Sequence, residues 1–222
     1  MIAEEYNNRQ VPQISVPKGK TISFIINILK KTPPYFILAI NTEGIIKPLN
    51  ENKLTQILVE QINVCLYETG VPIFAQNQYS DLFFGTKGIP DFYFYELEKG
   101  KTNIPLFVVE AKILPAPLPK EREKEYVIGD NKNGGIERFK IGKHAKGLNQ
   151  CGMIGFVQQN NFEFWKNEIN DWIETLSIND TFWNIDEKLE KSENLNDYSY
   201  LQSIAHRKLT DDIKIHHFWI KI

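Results

Sequence analysis

Residues 88–114, GIPDFYFYELEKGKTNIPLFVVEAKIL, decide how this chain is read. They hold two mostly apolar runs, Ile89–Glu96 and Ile104–Leu114, around a polar, glycine-containing turn, the pattern of two paired strands. Successive side chains of a strand alternate between faces, so Glu110 and Lys112 point one way with Ala111 behind them. Charges on so apolar a strand are costly unless they meet partner charges or a metal ion. The other strand opens with Pro90-Asp91, and its carboxylate is expected to arrive beside them.

Outward from these strands, helical and strand patterns alternate. Leu54, Ile57, Leu58, Ile62, Cys65 and Leu66 recur at helix spacing from Glu51, and Gly70 stops them. A short strand, Val71–Ala75, follows. After Leu114 comes a long segment rich in Pro, Gly and charge, residues 115–135, of the kind that is often functional. In it Lys120, Arg122 and Lys124 alternate with Glu121, Glu123 and Glu125, so it reads as a solvated lid with little net field. Ile136 to about Ala145 reads as helix and Met153–Gln158 as strand. Asn160 or Asn161 caps a helix whose Phe164, Trp165, Ile169, Trp172, Ile173 and Leu176 make a core-facing stripe. A polar region at 184–198 precedes a final strand, Ile213–Ile222. Residues 1–50 read as an accessory segment ahead of a main domain at 51–222: an arm to about residue 20, a helix capped by Thr21 and stopped by Pro33-Pro34, and a buried strand over Tyr35–Ile40.

The 222 residues, 42% of them hydrophobic, suffice for one domain with a proper core. No apolar run approaches a membrane span, and MIAEEYNNRQ is too acidic and polar for a secretory signal, so a cytoplasmic protein without a membrane partner is expected. Cys65 and Cys151 lie far apart without metal-type spacing and are expected as reduced thiols in or near the core. A net charge of −2 counts against a nucleic-acid binder unless one basic stretch acts locally.

Pro90-Asp91, then Glu110-x-Lys112 closing an apolar run 19 positions after Asp91, within a helix-strand-strand-strand-helix-strand order, resembles the PD-(D/E)XK nuclease superfamily. The resemblance spans residues 51–158; the tripeptide alone is weak, and its placement supplies the specificity. It implies an α/β restriction-endonuclease-like core, a central mixed sheet flanked by helices, and Mg²⁺-dependent hydrolysis of phosphodiester bonds with Mn²⁺ able to substitute. Asp91 and Glu110 would be hard oxygen ligands for the cation, and the backbone carbonyl of Ala111 would complete its shell. Such a cation lowers the pKa of bound water and offsets developing charge. Lys112 would be the catalytic amine, orienting or deprotonating the attacking water or stabilising the phosphorane.

The superfamily often adds an acid on the preceding helix. Glu51, with Leu54 and Leu58 three and seven residues later, fits that place better than Glu60; a first-turn acid complementing the helix dipole is the plain alternative. Arg138, Lys140, Lys143, His144 and Lys146 form the dense basic stretch, read either as phosphate contacts or as a solvated helix face. DNA is favoured over RNA, and a symmetric dimer is expected if both strands of a duplex are cut. EYVIGD…GGIERFK and GMIGFVQ extend the resemblance to standalone bacterial nucleases of restriction or phage defence. Competing readings are a nuclease fold used only for binding or assembly, an RNA-directed nuclease, and a toxin-like effector. His206, His216 and His217 match no zinc spacing; His217, sharing a face with Ile215 and Trp219, is expected half-buried and satisfied. Arg207 is a lesser phosphate candidate.

Overall fold

The computed structural model describes residues 18–222 apart from 118, 120, 121 and 196. Residues 1–17 of the expected arm, and Lys120 and Glu121 of the expected lid, lie outside the described residues. The architecture is α/β: an open, mixed sheet of seven strands with helices on both faces.

Its centre is β3 (Pro105–Leu114), buried along nearly its whole length. Phe107, Val109, Ala111 and Ile113 face a layer made by α1 (Lys18–Lys31), α2 (Pro33–Ile40) and α3 (Glu51–Tyr67). Val108 and Leu114 face the opposite layer, which holds α4 (Gly135–Lys140) and α5 (Phe162–Asn179). Burial on both faces explains why this strand reads as a continuous apolar run. Antiparallel to β3 lies β2 (Phe92–Glu96), itself paired with β1 (Ile73–Asn77). On the other side β4 (Gln150–Val157) runs parallel to β3, and β7 (Ile213–Lys221) parallel to β4. Parallel neighbours need long crossovers, which the α4 and α5 segments supply. The sheet continues antiparallel through β6 (Tyr198–Ala205) to β5 (Glu190–Asn194).

On the free edge of β1, the side-chain amide of Asn63 in α3 donates to the Ala75 carbonyl and accepts its N–H, both at 2.9 Å, replacing a strand partner. Such cover blunts edge-to-edge pairing. No helix among the described residues is long and apolar enough to cross a membrane.

Several expectations are corrected. Thr21, read as a helix cap, lies inside α1, which starts at Lys18 among the described residues. Tyr35–Ile40 belongs to a helix: Pro33 and Pro34 occupy its first positions, where fixed φ and a missing N–H are harmless. Its buried residues, Pro33, Phe36 and Ile40, fall at helical spacing, which a short apolar run does not reveal. The helix expected over Ile136–Ala145 stops at Lys140. The C-terminal part contributes three strands: β5 falls in the region read as polar loop, and β6 follows it with Tyr198, Tyr200, Leu201 and Ala205 buried; Ser199 and Ser203 are buried too, and Ser203 Oγ lies 2.9 Å from His217 Nε2. Finally, the segment after β3 is anchored rather than a free lid. Tyr126 and Val127 are fully buried, and the Tyr126 hydroxyl accepts from Trp219 Nε1 (2.8 Å) and meets His217 Nδ1 (2.9 Å). His217 is thus satisfied, and fully rather than half-buried.

Candidate active site

β3 has ten residues and β2 five, and the β2 ladder begins only at Phe92↔Val109. From Glu110 onward β3 therefore projects past its neighbour, leaving amides on that side to find other acceptors. Two carboxylates supply them. Asp91, the residue just before β2, accepts the Ala111 N–H at 2.7 Å. Glu51, in the first turn of α3 after the Asn50 cap, accepts the Ile113 N–H at 3.3 Å. A strand residue's N–H and C=O project to the same side, so the Ala111 carbonyl shares the side on which Asp91 sits.

Glu110 and Lys112 alternate with these residues onto the α4 face. Lys112 Nζ lies 3.2 Å from both Glu51 Oε1 and Glu110 Oε1. Glu110 is fully buried. Arg138 Nη1 donates to its Oε1, and His144 Nδ1 lies 3.2 Å from its Oε2 without the alignment of a hydrogen bond. Among the described residues Oε2 has only this unaligned His144 contact, an under-satisfied buried oxygen of the kind that calls for an explanation such as a bound ion.

Burial alone would raise the Glu110 carboxyl, but His144, Lys112 and Arg138 together bring it down to about 2. Burial, reinforced by the Glu110 charge, pushes Asp91 up to about 7 against the pull of Lys112 and the Ala111 N–H. Burial also raises Glu51. For Lys112, burial opposes the charge, but Glu110, Glu51 and Asp91 outweigh it and raise the ammonium.

Sequence reasoning placed Asp91, Glu110, Lys112 and Glu51 together, and the structure brings them together. Glu60 is exposed and bonded by Gln56 in the same helix. The basic stretch divides. Arg138 turns inward to Glu110. His144 is buried against the same carboxylate, so it is not a surface phosphate contact. Gly88 is held by this contact: a Cβ there would overlap the His144 ring and the Lys143 carbonyl. Lys140 is excluded from phosphate binding too, being buried and paired with Glu187 and the His206 carbonyl (2.9 Å). The signal was available, since Phe139 and Lys140 follow Ile136 at the three- and four-residue spacing of one helix face. Lys143, half-buried, donates to Asn133. Lys146 is exposed.

Arg207 is likewise corrected. Its guanidinium donates to the carbonyls of Phe139 (2.8 Å), Leu148 (3.1 Å) and Ala145 (3.2 Å), pinning the loop that carries His144. Arg207→Ala should lower stability to urea by about 1–3 kcal/mol by stripping buried carbonyls of their donor. A phosphate role would instead change the salt dependence of DNA binding, which is expected to stay constant.

Among the described residues no three His, Cys, Asp or Glu side chains form a ready-made metal cage. Mg²⁺ does not require one, because it keeps several waters and takes one or two carboxylates plus substrate phosphate. Asp91, the under-satisfied Glu110 oxygen and the Ala111 carbonyl fit that donor set. No family model, curated protein or solved structure matches the chain.

Proposed function

We propose that this chain is a divalent-cation-dependent nuclease of the PD-(D/E)XK kind, with a restriction-endonuclease-like core, cleaving phosphodiester bonds in DNA. One observation carries the reading. Asp91, Glu110, Lys112 and Glu51 arrive from three separate elements at the place where β3 outruns β2. Mg²⁺, when bound, would supply an acidified water and a counter-charge for the attacked phosphate. Asp91, Glu110 and the Ala111 carbonyl would hold it, and Glu51 would back the site from α3. Lys112, an ammonium between two carboxylates, is a fixed charge and hydrogen-bond donor, suited to orienting the attacking water and offsetting phosphorane charge. Restriction or phage defence is the setting this activity suits.

The test is incubation of the purified protein with plasmid, single-stranded DNA and RNA in Mg²⁺, Mn²⁺ or EDTA. Cleavage that needs the cation and is lost in Asp91→Ala and Lys112→Ala upholds the reading; cleavage surviving both substitutions sinks it. A second reading, a nuclease fold that binds without cutting, draws on Glu110, whose oxygens already face Arg138, Lys112 and His144. Tight DNA binding indifferent to metal and to Lys112 would favour it.

A further inference from the structure

Residues 81–88 join β1 to Pro90-Asp91 and form a locked turn. Asp81 Oδ1 accepts the N–H groups of Phe83 and Phe84, both at 2.9 Å, and Oδ2 accepts that of Thr86 at 2.7 Å. The Phe84 ring lies so close to Gly147 that a Cβ there would overlap it, and Gly88 packs on the His144 ring. The turn is thus fastened to the loop that reaches Glu110. Yet its tip is apolar and open to solvent: Leu82 is 70% and Phe83 43% exposed. Behind Phe84 opens a groove of about 670 Å³, walled by Phe84, Ile104 and Leu106, with Lys146 and Asn149 on it. Lys87, within the turn but outside the groove lining, and Lys146, whose Nζ lies 3.5 Å from the Phe84 carbonyl, are both exposed. Asp211 puts one carboxylate elsewhere in the groove lining, so phosphates are expected along the Lys87–Lys146 side.

We infer that the Leu82-Phe83-Phe84 turn and the groove behind it hold an unpaired stretch of nucleic acid, with Phe83 stacking on a base and Lys87 and Lys146 contacting phosphates. This rests on the nuclease reading and names the part of the substrate it engages. Exposed aromatics flanked by lysines suit bases and phosphates of a single strand, because every base offers a π-face and stacking tolerates any sequence. Duplex DNA hides those faces. Along β3 the groove lies five residues from Glu110, about 17 Å at ~3.3 Å per residue.

The test uses a short oligodeoxynucleotide carrying 2-aminopurine, as a single strand and as a duplex, in EDTA. The full chain is compared with Leu82→Ser/Phe83→Ala, two exposed positions whose replacement should leave the melting temperature unchanged. The expected result is quenching of the single-strand probe by wild type and an affinity loss of about 5- to 100-fold in the double variant, with a much smaller loss on duplex. Equal binding by both proteins, equal losses on both probes, no single-strand binding by wild type, or a change of oligomeric state in its place would overturn the inference. Cleavage is read separately. A chain that binds and quenches but never cuts in Mg²⁺ keeps this inference and removes the nuclease reading; one that cuts while the double variant binds normally does the reverse.

Discussion

Lys112→Ala should lower the rate of DNA cleavage at saturating Mg²⁺ by about 10²–10³-fold, the usual consequence of removing one preorganised donor from a charge-stabilising site. The geometry makes this side chain hard to replace. Its ammonium lies 3.2 Å from carboxylate oxygens of two elements, Glu110 on β3 and Glu51 on α3, and its stem is buried. Alanine removes the donor and leaves Glu51 without its ammonium partner, while Glu110 keeps Arg138 and His144. The burial that already raises Glu51 then acts with less opposition and raises it further. Lys112→Met keeps most of the volume and should show the same loss of rate, which separates charge from packing. Lys112→Arg keeps the charge but brings a planar fork to a slot shaped for a point charge, so activity should return only in small part. DNA affinity measured in Ca²⁺ should fall much less than the rate. Rates within about threefold of wild type for both the alanine and methionine variants would remove Lys112 from the chemistry; donors that matter are worth far more than that.

How far the fold was legible follows from where local pattern and tertiary placement agree. β3 was readable because its apolar run is broken by charges at alternate positions, and α3 because Leu54, Leu58, Ile62 and Cys65 keep helical spacing up to Gly70. α2 was not, since a six-residue apolar run carries no decisive period and prolines that end one helix can begin the next. β5 hides in polar sequence, and β6 interleaves serines with its apolar residues; such buried hydroxyls are satisfied by the next strand, as Ser203 is by His217. Asp91, Glu110 and Lys112 were legible from their placement on two strands, and Glu51 only through the resemblance to the nuclease superfamily. The second half of the site was not: Arg138 and His144 were read by charge as surface, whereas their positions follow from a helix that ends at Lys140 and a loop tied down by Arg207. The projection of β3 beyond β2, which creates the site, depends on where a ladder stops, and strand ends are the least readable feature of a sequence.

Asp91→Asn should stabilise the metal-free protein above pH 7 and destroy its response to Mg²⁺. Asp91 is raised to about 7 by burial and by the Glu110 charge. An acid ionising at 3.8 in the unfolded chain but near 7 in the folded one adds nothing below 3.8, where both states are protonated. Between these values the unfolded chain alone loses its proton, so folding weakens steadily, and above 7 the whole penalty remains. At about 1.4 kcal/mol per pKa unit, asparagine, which can still accept the Ala111 N–H, should gain about 4 kcal/mol at pH 8 in EDTA. That corresponds to a melting temperature higher by about 10 °C, shrinking to nothing by pH 4. His216 and His217, held down to about 4 and 3 chiefly by burial, produce the opposite slope. Their contribution is present above pH 6.5 and is lost as pH falls through those values. It is common to both proteins, so the difference curve isolates Asp91. Mg²⁺ should then narrow the difference. A cation at 100 times its dissociation constant stabilises wild type by about 2.7 kcal/mol, and asparagine cannot supply the charge that holds it. Wild type should therefore close most of the gap on titration with Mg²⁺ while Asp91→Asn stays flat. A variant that melts like wild type in EDTA at pH 8, or that gains equally from Mg²⁺, would mean that Asp91 is neither strained nor a ligand. At the proposed cation site that penalty is relieved when the metal binds, while Lys112 and Arg138 already face the neighbouring Glu110.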